Sequence, residues 1–219
     1  MAKLAVTGLH HRFGRHKVLR GVELSMHSGE CVVLFGDNGS GKSTLLTLLS
    51  TRFALQKGQY ILDGLDSRSQ GEEIRSKSVF ISHNSHLYGH LTPVENLLFF
   101  TELRQLDCSK ETIRKAIDNV GLTRFADRPS RWFSAGMKKR LTLARVLLAK
   151  PTLLLLDEPY SALDTQGVTW LNNILADFLS NSGMIIMASH DPQRVAALSH
   201  TPLFLKKGQL STKKEALSC

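Results

Sequence analysis

Residues 31–50, CVVLFGDNGSGKSTLLTLLS, hold Gly36, Gly41, Lys42 and Ser43 in the spacing Gly-x-x-x-x-Gly-Lys-Ser. Glycines at 36, 39 and 41 let the backbone curl until several N–H groups point inward, a cradle for phosphate oxygens. Lys42 is placed to reach the outer phosphates, and the Ser43 hydroxyl to bind a Mg²⁺ that bridges them. Asp37, Asn38, Ser40 and Thr44 complete the contact loop. The apolar run 31–35 reads as a buried strand and the leucines after Thr44 as a helix. That helix start adds roughly half a positive charge. A plain glycine turn needs neither flank, so the strand–loop–helix order favours phosphate.

Carboxylates follow in PTLLLLDEP, where a strand over 152–156 runs into Asp157 and Glu158. Acids at the C-terminal end of a parallel strand stand beside a phosphate loop in open α/β folds. Asp157 is then placed for the Mg²⁺ shell and Glu158 to polarise an attacking water. MIIMASHD is a further buried strand leading to His190, whose imidazole can bond a γ-phosphate or orient water. In RWFSAGMKKRLTLARVLLAKP, residues 137–149 have helical apolar spacing, Pro151 lies beyond, and Ser134 stands at the N-cap. Read alone, this is an ordinary capped amphipathic helix. Beside the first cradle it is a second anion-binding helix start, and its sensible use is in trans, on the phosphate held by a second copy.

Other elements must position these groups. Residues 1–30 and 55–65 read as short antiparallel strands, with a turn at Asp63-Gly64. Residues 31–54, 75–83 and 150–210 read as a parallel α/β core. Residues 84–149 read as mostly helical. There, Ser109 caps a helix with apolar positions 113, 116, 117 and 120 and Gly121 as terminator. LTPVENL is a helix start with Thr92 as N-cap, Pro93 first and Glu95 third. His83, His86 and His90 therefore lie in a loop over 83–91, and no cysteine is near to complete a zinc set. Polar loop residues at a protein interface are the favoured reading.

The 219 residues are 42% hydrophobic, enough for one sizeable core. The formal charge of +9 suits an anionic ligand, an anionic membrane face or a solvated basic surface. The lysine-bearing tail lacks stacking aromatics, so no nucleic-acid role is expected. Cys31, Cys108 and Cys219 are widely spaced and odd in number, which argues against a disulfide framework. No apolar run approaches the roughly 20 residues of a membrane span, and the start lacks a secretory leader. A cytosolic location is expected.

Together the motifs resemble the nucleotide-binding subunit of an ABC transporter, over nearly the whole chain. GDNGSGKST matches Walker A, LLLLDEP Walker B, FSAGM the signature motif, YSALD the D-loop and SHD the switch histidine. Within the family the chain is similar to the heme exporter ATP-binding subunits of cytochrome c maturation, in its FSxGM signature form, its length and HLYGHLTPVENLLFF. The resemblance implies a single-domain α/β fold of the P-loop NTPase (RecA-like) class. It has a parallel-sheet core, an antiparallel β subdomain and an inserted α-helical subdomain at about 84–149. It implies ATP and Mg²⁺, an integral membrane permease, and a second ATP-binding subunit, taken as a homodimer, on the inner face of the cell membrane. By the same resemblance Phe13, in HHRFG, matches the aromatic expected to stack on adenine. Ser134, Ala135, Gly136, Met137 and Asp164 meet nucleotide across the dimer. Asn84 takes the place of a glutamine that touches Mg²⁺, one methylene shorter. Ala135 and Met137 also depart from the usual LSGGQ, while Ser134 and Gly136 are kept. Two alternatives stay open: a non-transport ABC ATPase, or a nucleotide-dependent regulator with weak hydrolysis.

Overall fold

The structure is a computed structural model that describes residues 3–82, 86–198 and 200–212. Two sheets organise these residues. The first pairs β1 (Lys3–Phe13), β2 (His16–His27), β4 (Lys57–Leu62) and β5 (Leu65–Asp66) in the order β2-β1-β4-β5, antiparallel throughout. Asp63 and Gly64 join β4 to β5 with φ of 52° and 81°. Two positive φ values are what a tight type I′ hairpin demands, so the turn read from Asp-Gly forms as expected.

The second sheet contains β3 (Cys31–Phe35), β6 (Ser78–Ile81), β7 (Leu153–Asp157), β8 (Met184–Ala188), β9 (Thr201–Lys206) and β10 (Gln209–Ser211), in the order β10-β9-β3-β8-β7-β6. All but β10 run parallel to their neighbours. Every residue of CVVLF, LLLLD and MIIMA is buried. One face packs on the helix Lys42–Leu49 and the antiparallel sheet, and the other on the helices Ala135–Ala149 and Thr165–Ser180. The sheet therefore has no wet side, which explains unbroken apolar strands without polar alternation. Each fully buried leucine contributes about 1.5–3 kcal/mol relative to exposure. Register decides what the strand ends bring together: Ala188 pairs with Leu34 on one side and with Asp157 on the other. The loop after β3, the acids closing β7 and the histidine after β8 therefore leave the sheet at one level.

Helix α1 (Lys42–Leu49) follows the glycine loop, and α6 (Thr165–Ser180) and α7 (Pro192–Val195) follow β7 and β8. The inserted segment holds α3 (Pro93–Leu103), α4 (Lys110–Asn119) and α5 (Ala135–Ala149). Their caps are those the sequence predicts. Thr92 and Glu95 form a reciprocal capping box, the Ser109 hydroxyl accepts from Thr112 N, and Gly121 has φ of 70°. Ile113, Ile117 and Val120 are buried with Leu97, Phe133 and Leu141 in an apolar cluster of the segment's own. Helix α5 starts at Ala135, directly after the expected cap Ser134, whose hydroxyl accepts from Met137 N. Helix α2 (Gly71–Lys77) went unread in the sequence: it begins in a stretch given no element and runs into the core segment 75–83, just before β6. It is two turns of mostly charged residues with Ile74 alone buried, too little apolar periodicity to read.

Candidate functional site

The glycine loop is shaped by contacts only glycine permits. Gly36 has φ of 149°, and a Cβ there would clash with the Leu205 carbonyl oxygen of β9. Gly41, the N-cap of α1, has φ of 109° and no side-chain cap. The first-turn amides of α1 are therefore left without the side-chain partner that capping supplies. Lys42 is buried, 8% exposed, and its ammonium donates to the carbonyls of Gly36 (2.7 Å) and Asp37 (3.0 Å). A buried cation paired, among the described residues, with neutral carbonyls is electrostatically incomplete, and an anion would complete it. The Ser40 hydroxyl is likewise buried without a hydrogen-bond partner. Asp37, Asn38 and Gly39 are exposed on the lip, Ser43 is exposed and Thr44 half-buried. Uncapped amides, a waiting ammonium and an orphaned hydroxyl together fit a polyphosphate.

Asp157 ends β7, 8% exposed, and Glu158 follows in left-handed backbone with φ of 50°. The Glu158 carboxylate meets His190: Oε2 lies 2.8 Å from Nδ1. A neutral His190 carries its proton on Nδ1 to make this bond, which leaves Nε2 as an acceptor. The histidine side chain is 72% exposed and the glutamate 23%. The sequence brought these residues to one rim; the structure pairs them directly.

The main chain around Glu158 is held from several sides. Its N–H donates to Ala188 O (3.0 Å), and its carbonyl accepts from Ser161 N (3.2 Å), Ser161 Oγ (2.9 Å) and Lys139 Nζ (3.3 Å). Burial lowers the Lys139 pKa from its ordinary value, opposed by the negative charges of Asp157 and Glu158. Farther along the turn, Arg194 Nη1 donates to the carbonyls of Tyr160 (2.7 Å) and Leu163 (3.3 Å), while its Nε lies 3.0 Å from the Asp191 carboxylate. The Tyr160 hydroxyl lies 2.6 Å from Asn172 Oδ1. Asp164 caps α6 by accepting from Gly167 N at 2.7 Å. The sequence reading missed Lys139 and Arg194. For Lys139 a signal existed: it occupies the same helical stripe as buried Leu143 and Val146, where an apolar residue is expected.

At the start of α5, Ser134 and Ala135 are exposed and Gly136 and Met137 half-buried. A Cβ on Gly136 would lie 3.5 Å from the Ala162 carbonyl, so the helix start stands beside the turn after Glu158. Asn84 and His83 lie outside the described residues. Of the other loop histidines, His90 Nδ1 is 3.2 Å from Arg131 Nη1, and Arg145 Nη2 donates to the His86 carbonyl (3.0 Å). Burial and the charges of Arg52 and Arg145 lower the His86 pKa. Guanidinium groups beside both histidines oppose a bound cation.

Phe13 lies at the β1–β2 turn, 51% exposed. The same hairpin reaches the cradle: a Cβ on Gly41 would lie 3.0 Å from Val18 Cγ1. Phe13 stands edge-on to His11 (ring centroids 4.8 Å apart) and to Phe53 (5.9 Å), and His11 stacks on Phe53 at 5.8 Å. His11 is 6% exposed and both ring nitrogens lack a partner. Burial lowers its pKa. The unfolded chain therefore takes up this proton first as pH falls. The stability His11 contributes is complete above its unfolded pKa of about 6.5, and is lost as pH falls from there through the folded value. From about pH 7.5 to about pH 5.5, the melting temperature of the wild type is expected to fall more than that of His11→Phe, as thermal unfolding will show.

Comparison with known proteins places these features in a family. The sequence model described as ABC transporter matches residues 19–161. A cytochrome c biogenesis ATP-binding export protein, CcmA, of Pseudomonas syringae pv. syringae is 39% identical over 170 residues, 77% of this chain and 79% of the relative. The protein of the same name from Methylococcus capsulatus is 34% identical over 189 residues, 86% of this chain and 91% of the relative. Among solved structures, one described as an ATP binding subunit of an ABC transporter superposes with a TM-score of 0.86 at 23% identity, covering 97% of this chain and 90% of that one. The ADP conformation of MJ1267, an ATP-binding cassette of an ABC transporter, superposes with a TM-score of 0.82 at 22% identity, over 96% of this chain and 90% of that one. At these identities the superpositions speak for the fold, and the fold is that of the P-loop NTPases.

Proposed function

The chain belongs to the ABC transporter family, and from that premise we propose that it is the ATP-binding and ATP-hydrolysing subunit that powers a separate membrane permease. One observation carries the reading: the phosphate cradle and the Glu158–His190 pair leave adjacent strands at one level.

In this reading the loop amides of residues 36–44 take the phosphates of ATP. Lys42 exchanges the carbonyls of Gly36 and Asp37 for the outer phosphate oxygens. Ser43 and Asp157 would hold Mg²⁺, with Asn84 assigned to the same shell by its motif. The ion supplies neutralisation of the charge on the β- and γ-phosphates. Glu158 accepts a proton from the attacking water, and His190 holds its carboxylate in place. Phe13 offers its exposed face to the base. A second copy closes the site: its exposed Ser134 presents the start of α5, and its Asp164 turn crosses the interface.

No helix among the described residues is long and apolar enough to cross a membrane. We place the subunit on the cytoplasmic face of a membrane, docked on its permease. Relatives at 32–39% identity carry the name cytochrome c biogenesis export protein, and we extend heme export in that pathway to this chain. The Glu158–His190 pair favours a working hydrolase over a regulator with weak hydrolysis. Light scattering with a non-hydrolysable ATP analogue and Mg²⁺ is expected to show twice the monomer mass. Ser134→Arg is expected to bind the analogue and remain a monomer. A wild type that stays monomeric at saturating analogue removes the two-copy site, and purification from membranes without any permease chain removes the transport assignment.

A further inference from the structure

We infer that Lys139 is a positioning residue for Glu158, a tether through which the seating of helix α5 sets the backbone of the general base. The inference rests on the proposed role of Glu158 and adds a means of controlling it.

Lys139 is an anomaly by its position. It is 7% exposed, on the inward stripe of α5 with Leu143 and Val146. A lysine costs stability there unless its ammonium is satisfied. Its Nζ donates to the Glu158 carbonyl at 3.3 Å, the same oxygen that takes Ser161 N and Ser161 Oγ. Glu158 also carries a left-handed φ of 50°. A non-glycine residue held there is strained and persists where its surroundings over-determine it. Three donors on the carbonyl and the N–H bond to Ala188 supply that constraint. The direction of a side chain follows its backbone, so the same constraint aims the carboxylate at His190.

Two of the three carbonyl donors come from the turn itself, and Lys139 alone comes from another element. That element begins at Ser134, five residues away along the helix, or about 7.5 Å at 1.5 Å per residue. A shift of the α5 start, such as a second copy imposes on closing, therefore pulls on the carbonyl of the base. The connection is mechanical, a hydrogen bond whose length follows the helix.

The test is Lys139→Met, which keeps the apolar stem and removes the donors, beside Lys139→Arg, which keeps donors and charge. For Lys139→Met, kcat for ATP hydrolysis is expected to fall about tenfold or more with the KM for ATP within about twofold. Lys139→Arg is expected to regain most of the loss. In the nucleotide-free protein, hydrogen exchange at the amides of residues 158–163 is expected to quicken in Lys139→Met while the β3 and β8 amides keep their protection. Wild-type turnover in Lys139→Met, unchanged exchange in the turn, or a fall in melting temperature and rise in KM without loss of kcat each overturns the tether. Lys139→Gln takes the same measurements if the methionine variant does not fold. Glu158→Gln separates the two layers: if it turns over like the wild type, the assignment of the base fails. If it is inactive while Lys139→Met is normal, only the tether fails.

Discussion

Glu158→Gln is expected to lower kcat for ATP hydrolysis by about 10²–10⁴-fold, the range for losing a positioned general base, with ATP affinity near that of the wild type. The substitution is nearly isosteric. A glutamine oxygen can still accept from His190 Nδ1, which lies 2.8 Å from the carboxylate in the wild type. The left-handed backbone and the bonds to Ala188 O and from Ser161 are made by the main chain and stay. What disappears is the capacity to take a proton. The variant should therefore gather as an ATP-bound pair of subunits, visible as doubled mass by light scattering with ATP itself. Steady-state phosphate release decides the matter: turnover within a few-fold of the wild type removes Glu158 as the base.

Lys42→Met is expected to fail at the opposite step. The ammonium is bonded to the loop carbonyls of Gly36 and Asp37 at 2.7 and 3.0 Å. Charge-assisted bonds to phosphate are worth about 1.5–3 kcal/mol each, so its loss should weaken ATP binding by about 10- to 10²-fold. Removing a buried charge relieves a desolvation cost, so the melting temperature without nucleotide is expected to stay close to the wild-type value. Titration calorimetry with ATP and Mg²⁺ measures the first effect and thermal unfolding the second. An unchanged dissociation constant places the nucleotide elsewhere. The two variants thus separate affinity from rate, which a misfolded protein cannot imitate, since it loses both.

Much of this site is readable because its causes are local. Gly36, Gly39 and Gly41 announce a loop that needs positive φ, the runs 31–35 and 184–188 announce strands without a wet face, and Thr92, Ser109 and Ser134 announce helix starts. Each is announced by residue types within a few positions, although for Gly36 and Gly41 distant neighbours, Leu205 and Val18, add to the requirement. The match to family motifs then supplied order and partners that spacing alone left open.

Other facts depend on distant parts of the chain. That Glu158 touches His190, 32 residues away, follows from Ala188 standing between Leu34 and Asp157, a consequence of strand order. The reach of Lys139 and Arg194 to the carbonyls after β7 depends on how α5 and α7 seat against the sheet. His11, unpartnered between Phe13 and Phe53, reads in the sequence as one more strand residue. By itself the sequence determined the cradle, the acids, the caps and the class of fold, because those rest on backbone freedom and side-chain chemistry at fixed short spacing. Only the tertiary structure decided which groups meet and what holds them, because pairing across a sheet is set by register and helix seating, which no local window contains.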